Sequence, residues 1–197
     1  MADQPRAPAW KKGDFTERQI STETVFDGRL LHVKRDRVLL PDGNQADREY
    51  IIHPGAVVIA ALTDRRELVM VRQYRYPMGR EFFELPAGKI DPGENPAETA
   101  RRELEEETGY LARDWRRVSV IHPSIGYSNE RIEIYLADGL TQAEARLDDE
   151  EFLEVFTIPV GTAIDWVRGG AITDTKSIAV LFWIDKILAG SWDLAAP

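Results

Sequence analysis

Apolar and polar positions divide the chain into an early part made only of strands and a later part in which strands and helices interleave. In the early part, strands are predicted at residues 22–26, 30–40 and 46–52. The turn at residues 41–44 separates the last two, because Pro41 presets φ and Gly43 accepts a positive φ. The pattern predicts a small antiparallel sheet. Such a sheet has little core of its own and has to pack on the main domain or on a second subunit.

The later part begins after His53, Pro54 and Gly55 with a continuous apolar run at residues 56–62, which is typical of a strand buried on both faces. Further strands are predicted at residues 67–74, 81–85, 118–121, 131–136 and 152–158, and helices at 96–108, 162–167 and 176–188. Strands and helices do not alternate regularly, which favours an α/β sandwich with a mixed sheet. We therefore divide the chain into an N-terminal β-sheet region, residues 1–53, and a main domain, residues 54–197.

The helix predicted at residues 96–108 has clear ends. Asn95 is a favourable N-cap, Pro96 suits the first helical position, and Glu98 completes a capping box. Gly109 is a natural stop. One apolar face, directed at the core, is formed by Ala97, Ala100 and Leu104.

The C-terminal half of this helix is crowded by Glu103, Glu105, Glu106 and Glu107. Carboxylates at i, i+3 and i, i+4 repel each other, and the negative end of the helix dipole adds to the cost, each by about 0.3–1 kcal/mol. Folding alone does not explain such a cluster, whereas a divalent cation does. Oxygen ligands on one helical face suit Mg²⁺ or Mn²⁺. The alternative is a solvated acidic face paired with Arg101 and Arg102.

Composition narrows the class of function. The net charge of −9 disfavours a nucleic-acid partner, and the absence of cysteine excludes disulfides, thiolate metal sites and cysteine nucleophiles. The first 14 residues contain no apolar run, and no apolar stretch approaches the roughly 20 residues that span a bilayer, so we expect a cytoplasmic protein without a membrane partner. His32, His53 and His122 lack metal-ligand spacing and are predicted to serve the core or the surface.

Residues 88–110 resemble the Nudix box, G-x5-E-x7-R-E-U-x-E-E-x-G-U, in which U is a bulky aliphatic residue. All eight fixed positions match, and Tyr110 replaces the last aliphatic residue; the matching positions are Gly88, Glu94, Arg102, Glu103, Leu104, Glu106, Glu107 and Gly109. The resemblance implies a Nudix α/β/α sandwich and metal-dependent hydrolysis of a nucleoside diphosphate linked to a further group.

The resemblance also implies roles for individual residues. The metal ligands are the carbonyl oxygen of Ala87 and the carboxylates of Glu103, Glu106 and Glu107. Glu106 and Arg102 belong to the catalytic set, and Arg102 pairs with Glu94 to hold the loop to the helix. In relatives a later acidic loop supplies the general base or a further ligand. Here the loop at residues 148–151 ends in Glu151, the residue expected to act as the base. The alternative is a solvated turn of like charges.

Residues 71–77 and 84–88 resemble the ADP-ribose pyrophosphatase branch of this family. That resemblance implies a homodimer in which the N-terminal sheet is exchanged between subunits and helps to enclose the base. The implied substrate-binding residues are Arg75, which would meet a phosphate, Arg48 and Glu84, and Phe26, which would stack on the base. Ordinary strand packing or surface charge is the alternative for each.

Residues 123–130 depart from the branch pattern. They read PSIGYSNE where the branch has a stretch like PSPGFSDE, so that Ile125 stands at the marker proline. This replacement leaves open nucleoside diphosphate sugars other than ADP-ribose. Two further alternatives are a Nudix hydrolase of another nucleotide, such as a dinucleoside polyphosphate, and a sensor that binds a nucleotide sugar without hydrolysing it.

Overall fold

The computed structural model describes residues 13–143 and 152–193. Glu151, the expected general base, lies outside the described residues. The described chain forms two compact units. The first runs to Ile52 and includes Gly126–Ser128, and the second contains His53–Ile125 and the chain from Asn129 onward. No helix in the described ranges has the length and apolar character needed to cross a membrane.

The first unit contains the predicted antiparallel sheet, which is confirmed. Its strands are β1 (Arg18–Asp27), β2 (His32–Leu39) and β3 (Gln45–Ile52), in that order. The predicted turn follows β2, where Gly43 N donates to Leu40 O at 3.0 Å with a φ of 87°. β1 begins earlier than predicted, because all its residues are exposed and no apolar alternation marks its start.

The second unit contains two sheets. Its elements are β4 (Ala56–Ala61), β5 (Glu67–Arg75), a short 3-10 helix (Tyr76–Met78), β6 (Arg80–Glu84), β7 (Ala87–Lys89), α1 (Pro96–Thr108), β8 (Tyr110–Ile121), β9 (Ile132–Gln142), β10 (Leu153–Pro159), α2 (Val160–Arg168) and α3 (Thr175–Leu188). One sheet has the order β7-β4-β9-β8 and is mixed, because β4 and β9 are parallel and the other pairs antiparallel. The other sheet, β10-β5-β6, is antiparallel.

β4 lies between two hydrophobic clusters, which explains its continuous apolar sequence. Val57, Ile59 and Ala61 face the cluster that contains Ala100 and Leu104 of α1. The alternate residues of β4 face a second cluster, to which α2 and α3 contribute Ala163, Val180, Leu181 and Ile184. Helices therefore cover both faces of the mixed sheet. The predicted α/β/α sandwich is confirmed.

Within the second unit the clearest differences from the prediction concern β7, β8 and β9, of which β9 extends to Gln142 rather than to residue 136. β8 begins at Tyr110 rather than near residue 118, because its first half is charged and largely exposed. β7 was not predicted as a separate strand, because it has only three residues. Its pairing with β4, Val58 opposite Ala87 and Val57 opposite Gly88, is a tertiary contact. This short strand carries the backbone against which the candidate site is built.

Candidate functional site

Helix α1 begins and ends where its sequence predicts. The Asn95 side chain accepts hydrogen bonds from Ala97 N and Glu98 N, and Glu98 Oε2 accepts one from Asn95 N at 3.1 Å. Gly109 ends the helix with a φ of 68°. Ala100 and Leu104 are fully buried, and Ala97 packs against the same cluster. The capping box fixes the helix start, and the buried face fixes which side of the helix carries the carboxylates.

Arg102 connects the preceding loop to the carboxylates of the helix. Its Nε and Nη2 donate to the two oxygens of Glu94 at 2.9 and 3.0 Å, so the predicted pair is confirmed and is bidentate. Its Nη1 donates to Glu103 Oε1 and to Glu106 Oε2, both at 2.9 Å. One guanidinium thereby brings three carboxylates together. We call Glu94, Arg102, Glu103, Glu106 and Glu107 the box cluster.

The contact between Arg102 and Glu94 shifts the pKa of both groups. Hydrogen bonds from Arg102 and from Thr99 Oγ1 lower the pKa of Glu94 from its ordinary 4.5 to about 2. The hydrogen bond to Glu94, reinforced by Glu106 and Glu103, raises the pKa of Arg102 above its ordinary value. Both groups are therefore charged at any pH at which an enzyme works. With four carboxylates and one guanidinium, the box cluster has a net charge of −3.

Gly88 lies directly against Glu103. A Cβ on Gly88 would be 1.9 Å from both Cδ and Oε1 of Glu103, so only glycine leaves room for this carboxylate. Glu107 is 3% exposed, and its Oε2 accepts a hydrogen bond from Ala87 N at 3.1 Å. The structure therefore brings Ala87, Gly88, Glu103 and Glu107 together at β7, while Glu106 joins them through Arg102.

The donor set of the box cluster fits a hard divalent cation, because it consists of carboxylate oxygens with an excess of negative charge beside a backbone strand. In the described part of the chain, no three His, Asp or Glu side chains are arranged as a cation cage. Arg102 Nη1 instead lies within hydrogen-bond distance of both Glu103 and Glu106. A cation that binds here has to compete with this guanidinium for the two carboxylates.

The box cluster borders a cavity of about 580 Å³, a size typical of small-molecule sites. Its lining residues are His53, Ala56, Val57, Arg75, Ala87, Gly88, Lys89, Asp91, Arg102, Glu103, Glu106, Glu130, Ile132 and Lys176. The cavity thus joins the metal-ligand candidates to the predicted phosphate ligand Arg75. It also contains His53, Glu130 and Lys176, to which the sequence reasoning gave no functional role.

Arg75 is held by a buried carboxylate. Its Nε and Nη2 donate to Glu84 Oε1 and Oε2 at 2.7 and 2.8 Å, and Glu84 is 3% exposed. Lys176 donates to Glu84 Oε2 and, at 3.0 Å, to Asp174 Oδ2. Burial would raise the pKa of Glu84, but Arg75 and Lys176 outweigh it and keep the pKa below its ordinary value. We call Arg75, Glu84, Asp174 and Lys176 the Glu84 cluster; its charges balance.

Asp174 and Ser177 attach the Glu84 cluster to the start of α3. Asp174 is the N-cap, and its Oδ2 accepts from Ser177 N at 3.0 Å and from Ser177 Oγ at 2.7 Å. Ser177 Oγ in turn accepts from Leu85 N at 2.9 Å. This buried chain of hydrogen bonds ties α3 to the end of β6. Sequence reasoning missed Lys176, and the only local signal was an Asp cap two residues before it.

The remaining predicted substrate residues belong to the first unit. Phe26 on β1 is 55% exposed. Arg48 on β3 forms a bidentate pair with Glu17, with Nη2–Oε1 and Nε–Oε2 distances of 2.6 and 2.9 Å. In the second unit, Ile125 at the marker position is 82% exposed. The roles assigned to Phe26 and Arg48 stay predictions.

Comparison with protein families gives matches in both parts of the chain. Residues 52–177 match the NUDIX domain. Residues 17–51 match the nucleoside diphosphate sugar hydrolase N-terminal domain. The two matches meet at residues 51 and 52, at the end of β3.

Individual relatives cover most of the chain. The methanol dehydrogenase activator of Bacillus methanolicus is 38% identical over 172 residues, which is 86% of this chain and 93% of the relative. The ADP-ribose pyrophosphatase of Bacillus subtilis (strain 168) is 38% identical over 163 residues, 82% of this chain and 88% of the relative. The crystal structure of an ADP compounds hydrolase superposes with a TM-score of 0.82 at 25% identity, covering 91% of this chain and 98% of that chain.

Proposed function

The chain belongs to the NUDIX domain family and is a Nudix pyrophosphohydrolase, and we propose that its substrate is ADP-ribose or a related nucleoside diphosphate sugar. Hydrolysis of the pyrophosphate bond yields a nucleoside monophosphate and a sugar phosphate. The observation that carries the proposal is the cavity that the box cluster shares with Arg75 and Lys176. A pyrophosphate needs positive charge along its oxygens, and this cavity offers Arg75 and Lys176 beside a carboxylate-rich cation site.

Members of the family use divalent metal ions. The proposed cofactor here is Mg²⁺, with Mn²⁺ as a substitute, held by the Ala87 carbonyl oxygen and by Glu103, Glu106 and Glu107. Such an ion, when bound, would supply positive charge to the phosphate oxygens and would lower the pKa of a coordinated water. The support is the excess of carboxylate oxygen around β7 and the space that Gly88 leaves for Glu103. Arg102 keeps these carboxylates together, and Glu94 fixes Arg102.

The Glu84 cluster is proposed to hold the phosphate groups of the substrate. Arg75 presents a planar guanidinium whose orientation is fixed by two hydrogen bonds to Glu84. Lys176 lines the cavity beside it and contacts the same carboxylate. Because Glu84 is buried, it acts as a support for the two cations rather than as a ligand. Its proposed contribution to substrate binding is therefore indirect.

Two tasks remain for carboxylates that do not bind the metal: one removes a proton from the attacking water, and another accepts hydrogen bonds from the sugar hydroxyls. Glu151 stays the proposed general base for activating water. Glu130 lines the cavity and is only partly exposed, and an ionised carboxylate accepts hydrogen bonds from hydroxyl groups. We assign it to the sugar half of the substrate. The exposed Ile125 precedes it in the same connection between β8 and β9, so changes there bear on which sugar is accepted.

A homodimer formed through the N-terminal sheet is part of the proposal, with Phe26 and Arg48 contacting the base. It is supported by the match of residues 17–51 to the nucleoside diphosphate sugar hydrolase N-terminal domain. A further support is β1, which is an edge strand and is exposed along its whole length. The unpaired backbone groups of such a strand can pair with another chain. Light scattering coupled to gel filtration tests this part: a monomeric mass contradicts it.

The activity is tested by measuring phosphate release in a phosphatase-coupled assay with Mg²⁺ across ADP-ribose, ADP-glucose, GDP-mannose, UDP-glucose and diadenosine polyphosphates. We expect hydrolysis of the nucleoside diphosphate sugars, with products identified as a nucleoside monophosphate and a sugar phosphate. Preference for ADP-ribose would mean that this specificity is compatible with Ile125 at the position where the ADP-ribose pyrophosphatase branch has proline. A preference for diadenosine polyphosphates would contradict the proposed substrate class. Glu107→Gln, assayed in parallel, excludes a contaminating hydrolase.

A further inference from the structure

His53 is fixed at its backbone and at its ring. Its backbone N donates to Asn129 Oδ1 at 2.7 Å, and its ring Nδ1 accepts from Gly55 N at 3.0 Å. A backbone N–H can only donate, so Nδ1 carries no proton in this arrangement. The proton of the neutral ring is therefore on Nε2. The tautomer follows from the position of a main-chain group.

Gly55 has the conformation that this contact requires. Its φ is 100°, in the region that favours glycine, and a Cβ there would approach Ile90 Cδ1 to 3.1 Å. The turn at residues 53–55 therefore depends on glycine and directs the Gly55 N–H at the imidazole. The ring orientation is consequently set by the backbone of a turn at the cavity wall.

The protonated Nε2 faces Glu130. Nε2 and Glu130 Oε1 are 3.7 Å apart, the side chains are 20% and 24% exposed, and both residues line the cavity. The distance exceeds that of a hydrogen bond, but contacts in substrate-free sites are often long and shorten when the substrate binds. Asn129, which accepts the hydrogen bond from His53 N, precedes Glu130 directly. This hydrogen bond therefore attaches the connection between β8 and β9 to His53, next to the Glu130 carboxylate that the imidazole faces.

We infer that His53 is a positioning residue, whose Nε2–H orients the Glu130 carboxylate so that it accepts hydrogen bonds from the sugar hydroxyls of the substrate. This inference rests on the proposed function, because the hydroxyl groups that Glu130 would bind belong to the sugar of a nucleoside diphosphate sugar. It gives a role to a histidine that the sequence assigned only to the core or the surface. The two ring nitrogens have separate tasks: Nδ1 accepts from Gly55 N, and Nε2–H is directed at Glu130.

Two substitutions at position 53 separate the two ring nitrogens. In His53→Asn, Oδ1 can still accept from Gly55 N, but the donor facing Glu130 is lost. In His53→Gln, the longer amide can still donate to Glu130, but the acceptor for Gly55 N is lost. We expect His53→Asn to raise the KM for ADP-ribose about tenfold while the melting temperature stays near that of the wild type. His53→Gln should recover most of that loss and melt at a lower temperature.

A double-mutant cycle with Glu130→Ala tests whether His53 acts through Glu130. In the Glu130→Ala protein, adding His53→Asn should change KM by less than about twofold, because the partner of Nε2 is already missing. The matched control is His122→Asn, a substitution at an exposed histidine, which should leave the kinetics unchanged.

Three results would overturn the inference. The first is an active His53→Asn beside an impaired His53→Gln, which would make His53 a support for the Gly55 turn only. The second is independent effects in the cycle, with the two losses multiplying. The third is a wild-type protein that hydrolyses none of the nucleoside diphosphate sugars, which would contradict the proposed function itself, and the role of His53 would fall with it. Only the third result leaves no kinetic difference between variants to interpret.

Discussion

The two charged clusters on the cavity are built in opposite ways. In the box cluster three carboxylates contact one guanidinium, a fourth (Glu107) accepts from the backbone of β7, and all five residues come from one loop and the helix that follows it. In the Glu84 cluster two carboxylates meet two cations, and Lys176 contacts Glu84 across 92 positions of sequence. The first is unbalanced and local, and the second is balanced and non-local.

This difference indicates different tasks. An excess of negative charge is unfavourable for folding, so it is retained where a cation binds. A balanced buried cluster needs no ligand, and it fixes the orientation of its exposed members. We therefore expect substitutions of the metal-ligand candidates in the box cluster to abolish activity with little effect on folding. Substitutions in the Glu84 cluster should weaken both substrate binding and stability.

The largest effect is expected from removing one charge of the box cluster. In Glu107→Gln, the amide oxygen can still accept the hydrogen bond from Ala87 N, and one repelling charge leaves the helix. The stability should be unchanged or slightly higher. Lewis-acid stabilisation is worth several kcal/mol, so kcat should fall by about 10³-fold. Steady-state kinetics with Mg²⁺ and thermal unfolding measure the two quantities. Activity near that of the wild type would mean that Glu107 is not a metal ligand.

Gly88→Ala tests the same cluster without changing any charge. The new Cβ would overlap the end of the Glu103 side chain, which is flexible, so the carboxylate should move while the backbone stays. We expect about a 10²-fold loss of kcat with a melting temperature close to that of the wild type. The matched control is Gly161→Ala in α2, where an added Cβ meets nothing within 4 Å. An active Gly88→Ala protein would show that the position of Glu103 is not critical.

Lys176→Met should produce the mixed effect expected of the Glu84 cluster. Glu84 is 3% exposed and would lose one of its two cationic partners, so the free energy of unfolding should fall by about 1–3 kcal/mol. Arg75 would lose part of its support, and KM should rise about tenfold with a smaller change in kcat. Denaturant unfolding and steady-state kinetics measure both. Lys176→Arg retains the charge and should recover most of KM. A variant that changes stability but not KM would show that the Glu84 cluster contributes to folding and not to substrate binding.

The smallest effect concerns the pH dependence of stability. The pKa of Glu94 is about 2 in the folded protein and 4.5 ordinarily, so its ionised form favours folding fully above about pH 4.5. This contribution is lost as the pH falls from 4.5 towards 2. Glu94→Gln should therefore melt below the wild type near neutral pH, and the difference should shrink on acidification. Thermal unfolding at about pH 7 and about pH 3 tests this. A constant difference would mean that the charge of Glu94 does not contribute.

Local signals in the sequence were sufficient for much of the fold. The cap at Asn95 and the stop at Gly109 are contacts within about four residues, and the spacing of Ala100 and Leu104 marks the apolar face, so the bounds of α1 were predictable from the local sequence. The continuous apolar run of β4 predicted burial on both faces for the same reason. β8 and β1 were predicted too short because their exposed ends carry no hydrophobic alternation.

The sequence by itself determined the box cluster, because all five residues lie in one loop and the helix that follows it. The spacing of these residues decides which carboxylates reach Arg102, and it places Gly88 ahead of the helix. Only the tertiary structure decided what lies across the cavity. Lys176 meets Glu84, and His53 meets Glu130, through the packing of α3 on β6 and the folding of the β8–β9 connection against the turn at residue 53. Contacts between residues so far apart in the chain depend on the register of the strands and on how the helices pack against the sheets. No local spacing records them, because the free energy that selects them comes from burial of the whole core.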